Sequence, residues 1–357
     1  MSAAMDAPVP GRAGTPGPNG PQGTQFDRRS PALPSGLVRS ALVVAALATA
    51  AYAAYAWDGL RTQAVLGFAI RFATPLVLGA MCGLIGERSG IINIGIEGQI
   101  LASAFTGFLL ASTVGIAAGV VAGVLTGMAL GAFLALCAVT WRIDQIIAGT
   151  IITISAAGLT SFFYRQGRTI KGRMPTIEIP GLSEIPLVGR LLFTNPPITM
   201  ATMLLVVALH VLLFRTRWGL RTRAVGEHPS AADTVGVNVT LLRYLNVTVA
   251  GGFAGLAGVF ISLESSSTFE RNISAGRGFL ALALLITGRW RPFLVWGAAL
   301  FFGLTSGLAN QLQFDQVLDV PTQFVSMLPY AMTIVVLAVF AGRVRPPAAA
   351  GQPYTKE

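Results

Sequence analysis

Apolar runs separated by short polar turns recur along the chain at about 41–57, 63–85, 91–111, 114–140, 145–164, 196–214, 243–263, 277–288, 293–312 and 323–342. Most are near the ~20 residues an α-helix needs to cross a hydrocarbon core about 30 Å thick. Lipid offers no partner to exposed backbone groups, so such runs must bond internally, as helices. The pattern predicts an all-α polytopic integral membrane protein of about ten segments, eight to ten of them full spans. The eighth run is too short, with only about nine apolar or small residues between Gly278 and Gly288. It reads as a half-helix, a re-entrant piece or a broken helix whose irregular backbone is buried in protein.

Residues 1–36 lack any apolar period and are rich in Pro, Gly, Ser, Gln and Ala. They predict a disordered cytoplasmic tail ahead of a transmembrane domain, 37–345, and a second cytoplasmic tail, 346–357. The first long apolar run begins only near Ala41, which reads as a retained span and not a signal peptide.

Composition agrees with the pattern. The 357 residues are 53% hydrophobic and 11% charged, with mean hydropathy +0.67, against about a quarter charged in a soluble domain. The net charge of +10 comes from basic residues placed between apolar runs. They orient the chain in a bilayer and do not build a nucleic-acid face. Most fall on the inner side if both termini are cytoplasmic in a cell membrane. The exception is an outer stretch, 165–195, with Arg165, Arg168, Lys171, Arg173 and Arg190. It reads as an ordered cap and docking platform for an external protein, or as a plain connecting loop.

Within the spans, Gly115, Gly119, Gly123, Gly127 and Gly131 recur every four residues and bare one helix face for close packing. Gly251, Gly255 and Gly258 repeat the theme more weakly. The stretch GERSGIINIGIEGQILASAF, Gly86–Phe105, instead carries Asn93, Glu97 and Gln99 into an apolar run. Unpaired, such groups cost several kcal/mol at membrane depth. If the segment is helical, Asn93 and Glu97 share a face and Gln99 points away, which predicts a helix surrounded by protein or water. Glu97 is the one acid clearly inside a run, and it reads as a brace between helices.

The inner stretch 215–243 opens with Arg215, Arg217, Arg221 and Arg223, which suit anionic membrane lipid. It continues through Glu227, Pro229, Ala231 and Ala232 to Gly236, a short helix with proline in its first turn and glycine at its end. Such a helix fits a groove on a partner, or lies on lipid headgroups.

Several chemistries are missing. The lysines, Lys171 and Lys356, lie in no P-loop motif, and no H-E-x-x-H or Cys/His cluster is present. Cys82 and Cys137 sit in apolar runs as small hydrophobes, with no metal-ligand set around them. A membrane-embedded enzyme is the weakest reading.

Four motifs in order carry a resemblance: Gly86–Phe105, GLRTRAVGEHPSAADTVGVNV at Gly219–Val239, GGFAGLAGVFISLE at Gly251–Glu264 and AGRGFLALALLITGRWRP at Ala275–Pro292. The chain from about 60 to 342 resembles permease subunits of bacterial ABC importers of the nucleoside and simple-sugar branch. That resemblance implies an external solute-binding lipoprotein, a second and non-identical permease, and a separate ATPase that uses ATP and Mg²⁺. This chain would bind no cofactor and hydrolyse nothing. Glu227, Pro229, Ala231, Ala232 and Gly236 would form the coupling helix that meets the ATPase, with His228 and Pro229 departing from the fuller family pattern. By depth and polarity, Asn93, Glu97, Gln99, Thr150, Thr153 and Asn246 are candidates for the solute path or an interhelix network. The expected activity is alternating-access import of a nucleoside; the alternatives are a simple-sugar permease and a stand-alone secondary carrier using Glu97.

Overall fold

The computed structural model describes residues 56–170, 172–314 and 345–355, with isolated positions at 54 and between 321 and 334. These lie in one unit, Ala51–Glu357. The tail 1–36 and nearly all of the runs expected at 41–57 and 323–342 fall outside the described residues.

Helix α1, Gly59–Arg88, starts at Asp58, whose carboxylate accepts from the Arg61 backbone N–H at 3.1 Å. Every residue from Ala73 to Glu87 is buried, although the helix contains Pro75. An all-round apolar surface makes it the central helix of the bundle, packed against α9, α10 and α11. The next helix, α2, Ile96–Thr113, is buried throughout its first turns, Ile96–Leu101, and on one side beyond them. Helix α3, Ile116–Ala135, continues through a π-helical turn, Leu136–Thr140. Helix α4, Gln145–Phe163, buries only Gln145, Ala148, Gly149, Ile152, Ala156 and Thr160. That narrow stripe at three- and four-residue spacing marks an edge helix whose other faces are left uncovered by this chain.

The stretch 165–195 is ordered in part. Strands β1, Ile177–Glu178, and β2, Thr194–Asn195, pair antiparallel, with helix α5, Val188–Phe193, between them. Then follow α6, Pro197–Arg215; α7, Arg217–Glu227; α8, Pro229–Thr234; and α9, Val239–Val259, which ends in a second π-helical turn, Phe260–Ser265. Helices α10, Arg277–Thr287, and α11, Pro292–Phe314, complete the described elements.

Among the described residues, six helices are long and apolar enough to cross a membrane. This is fewer than the ten segments expected from the runs. Two expected runs lie outside the description, α2 is diluted by Glu97 and Gln99, and α10 has 11 residues. At 1.5 Å per residue α10 reaches about 16 Å, half of a hydrocarbon core. The chain leading into it bends through Ser267, Asn272 and Ala275 at positive φ. Phe269 is buried there against Phe105, Phe108 and Tyr164. Irregular backbone at membrane depth is tolerable because protein surrounds it.

Helix α3 sits between α2 and α9 at backbone contact. A Cβ on Gly119 would lie 2.5 Å from the Gly107 carbonyl, on Gly127 2.7 Å from Gly255 Cα, and on Gly131 2.5 Å from the Val247 carbonyl. Gly123 faces Val259 and the Ser103 carbonyl. Gly115 is different: it caps α3 at φ 140° with nothing within 4 Å of its Cβ position. It is a turn residue at the end of the stripe, outside the packed face.

Gly127→Ala is therefore expected to lower stability by about 1–3 kcal/mol through overpacking. Gly158→Ala, where a Cβ meets nothing within 4 Å, should stay within about 0.5 kcal/mol or stabilise. Thermal unfolding of the two variants in detergent micelles checks the contrast.

Candidate functional site

The turn between α1 and α2 gathers the polar groups of the Gly86–Phe105 stretch. Helix α1 runs to Arg88, Gly90 turns at φ 91°, and Ile91–Asn93 is irregular before α2 begins at Ile96. Asn93 precedes the helix, so the four-residue spacing to Glu97 does not put the two on one face. Asn93 Nδ2 instead donates to Gln99 Oε1 at 3.0 Å and to Cys82 Sγ at 3.4 Å, while the Ile92 N–H donates to Gln145 Oε1 at 2.7 Å. The pairing of Asn93 with Gln99 corrects the helical expectation. Both amides are buried in a network that ties α1, α2 and α4 together.

Glu97 points elsewhere. Its Oε1 accepts from the Gly276 N–H at 2.8 Å and its Oε2 from the Gly278 N–H at 2.6 Å. These donors are at the N-terminus of the half-helix α10, where unsatisfied N–H groups and the helix dipole favour an anion. Gly278 must be glycine, because a Cβ there would lie 2.5 Å from Glu97 Cα.

A second carboxylate does the same on another helix. Glu264 Oε2 accepts from the Ile198 N–H at 2.7 Å, and Oε1 from the Thr199 N–H at 3.1 Å and Thr199 Oγ1 at 2.5 Å, all at the start of α6. Glu87, buried near the end of α1, accepts from Trp290 Nε1 at 2.6 Å. Among the described residues, Glu97, Glu264 and Glu87 are thus acids in or beside apolar runs that bond a distant segment. Glu264 and Glu87 lie near the ends of apolar runs, which in the sequence look like boundaries.

The remaining candidates do not converge. Thr150 is exposed and donates to the Ile146 carbonyl, and Thr153 donates to the Gly149 carbonyl. Both satisfy their own helix. Asn246 is buried between α9 and α7, accepting from Trp218 Nε1 at 3.0 Å and donating to Thr222 Oγ1 at 3.1 Å. It joins the short helix α7 to a span.

Open space lies where the sequence signal was faint. A cavity of about 590 Å³ is lined by Phe68, Arg71 and Phe72 of α1, Arg173 and Thr176 of the 165–195 stretch, Glu264–Ser267, and Arg277. Phe68 and Phe72 stack with centroids 5.7 Å apart, and the Arg277 guanidinium lies 5.9 Å above Phe72. The π-helical turn of α9 and the positive φ of Ser267 adjoin it, and both features favour functional positions. Arg71, a lone cation inside an apolar run, was the signal that could have found this cavity.

At the other end of α1 the basic residues collect. Arg88 donates to the Trp290 carbonyl through Nε at 3.3 Å and Nη2 at 3.0 Å. Arg243 is 1% exposed and donates to the Ser89 carbonyl at 3.1 Å and the Gln352 carbonyl at 3.1 Å. Thr216 caps α7, and Pro229 opens α8. Ala232 packs with Val225, Val239 and Leu242, while Ala231 faces outward and Gly236 ends the segment at φ 84°. Glu227 accepts from the Ala348 N–H at 3.2 Å.

The family described as branched-chain amino acid transport system / permease component matches residues 65–337. The chain is 38% identical to the guanosine ABC transporter permease NupQ of Bacillus subtilis (strain 168), over 80% of this chain and 94% of that one. It is 35% identical to the nucleoside ABC transporter permease NupC of Lactococcus lactis, covering 82% and 97%. A Haloferax volcanii protein provisionally named a glucose ABC transporter permease, TsgC13, is 34% identical, covering 82% and 98%. With the family matched along most of its length and these relatives nearly spanned, the chain belongs to that family and is a multi-pass permease subunit of an ABC transporter, not itself an enzyme.

Proposed function

We propose that this chain is one of two non-identical permease subunits of an ATP-driven importer that carries a nucleoside by alternating access. The observation that carries the reading is the 38% identity to a permease named for guanosine over 94% of its length. The geometry closes two polar helix ends to the solute. Two helix N-termini, natural anion sites, are filled by this chain's own Glu97 and Glu264. The cavity has a volume in the range of small-molecule sites. Stacked Phe68 and Phe72 suit a flat base, and the hydroxyls of Ser265–Ser267 with Arg71 suit a ribose. The 34% identity to a permease named for glucose favours a simple sugar as the second reading.

In this scheme the basic end is cytoplasmic, with both termini on that side in the cell membrane. An external lipoprotein delivers solute to the cavity end. A partner ATPase, which alone uses ATP and Mg²⁺, bears on the outward face of α8 around Ser230 and Ala231. Movement of α7 reaches α1 because Gly226 packs directly on the Arg88 carbonyl. Arg88 and Glu87 hold the α10–α11 turn at Trp290, and Glu97 holds the other end of α10. The half-helix is thereby gripped at both ends and tilts as a unit. Glu97 is a brace in this scheme, and Asn246 couples α7 to α9.

Radiolabelled guanosine should enter proteoliposomes only when this chain, the second permease, the ATPase and the binding protein are all present with ATP. Flux through the lone chain would sink the proposal, and competition by glucose but not by nucleosides would favour the sugar reading. Ala231→Asp, on an exposed position, should remove solute-stimulated ATP hydrolysis while nucleoside binding to the lipoprotein is unchanged. Glu97→Gln should cost about 1–3 kcal/mol by setting an amide NH₂ against one of the two N–H donors, lowering melting temperature and transport rate at constant KM. A raised KM with unaltered melting would make Glu97 a solute contact instead.

A further inference from the structure

The last described stretch, 345–355, follows a long apolar region and reads in sequence as a loose tail. In the fold it is pinned at four points. The Ala348 N–H donates to Glu227 Oε2 at 3.2 Å and the Ala349 N–H to the Gly226 carbonyl at 2.9 Å. The Gly351 N–H donates to the Gly90 carbonyl at 3.1 Å, and the Gln352 carbonyl accepts from Arg243 Nη1 at 3.1 Å. Pro347 and Ala349 are buried, and Tyr354 packs on the cluster of Val225, Ala232, Val239 and Leu242. A stretch this short has little core of its own, so its order comes from these contacts.

The contacts fall on two parts of the bundle. Glu227 and Gly226 end α7 immediately before α8, and Ala232 of α8 shares an apolar cluster with Tyr354. Gly90 and Ser89 form the α1–α2 turn, and Arg243 bonds that turn and the 345–355 stretch with one guanidinium. Beyond the turn lie Asn93 and Gln99, then Glu97 on the half-helix. The outward face of α8, at Ser230, Ala231 and Val235, stays uncovered. The segment therefore sits behind the helix and leaves free the face that a partner would meet.

We propose that residues 345–355 form a strap that carries displacement of α8 into the α1–α2 turn, and so into the solute path. This rests on the reading of α8 as the surface on which the ATPase bears. Gly226 also touches the Arg88 carbonyl directly, so the bundle keeps one link without the strap and remains folded.

The test uses the complete transporter in proteoliposomes and reads ATP hydrolysed per solute carried. Two variants detach the strap: truncation after Arg345, and Gly351→Val. The second places a β-branched residue at φ 80°, a region such residues avoid. Both should retain the ATPase subunit and raise the ATP-to-solute ratio roughly five- to tenfold, the low end of interdomain coupling factors. A purely structural role would lower hydrolysis and uptake together at constant ratio, and that result overturns the proposal. Loss of the ATPase subunit from the truncated complex overturns it too, since the segment would then be a docking element. Ala231→Asp run in parallel separates the two readings. If it uncouples and the strap variants do not, the strap proposal alone fails; if it changes nothing, the reading of α8 fails.

Discussion

A helix that ends inside a bilayer leaves N–H groups with no water to bond, and the half-helix α10 exists because Glu97 meets that demand. The carboxylate would be costly alone, and so would the bare helix end. Together they satisfy each other through Gly276 and Gly278. The same logic recurs where Glu264 seats on the start of α6. Two pairs of mutually costly groups thus fix how α2, α9, α10 and α6 are arranged, and they close two helix ends that would otherwise attract an anion.

Dispersion does the rest of the assembly. Lipid tails are as apolar as leucine, so burial alone gives helices little reason to associate. Glycines on α3 and α9 let backbones touch, as at Gly127 and Gly255, and close contact supplies the attraction. The result separates a tightly packed block of α2, α3 and α9 from the more polar junctions around α1. Movement is easier to place at those junctions, where hydrogen bonds and turns meet, than along an interlocked glycine face.

The central helix α1 connects the two ends of the molecule. One end lines the cavity with Phe68, Arg71 and Phe72; the other holds Trp290 through Glu87 and Arg88 and meets Gly226. At about 45 Å, buried continuously from Ala73 to Glu87, it is long enough to link the cavity to the turn at the opposite end.

The helical membrane class, the shortness of the 277–288 segment and the periodic glycines were legible in the sequence, because hydropathy, length and spacing are local properties. The family resemblance was legible too, carried by motifs in order along the chain. Partners across the chain were not. That Asn93 binds Gln99 and not the face of Glu97 depends on α2 starting at Ile96. That Glu264 belongs to α6 depends on two segments 65 residues apart meeting. Glu87 and Glu264 hid at the ends of apolar runs, and a polar residue there looks the same whether it faces water or a buried donor. The 345–355 stretch likewise has no hydrophobic signal of its own; its order comes from backbone groups of Gly90 and Gly226 that only the tertiary structure brings beside it. Local composition determined which segments enter the membrane, and long-range hydrogen bonding, which no window of sequence contains, decided what each polar group in them does.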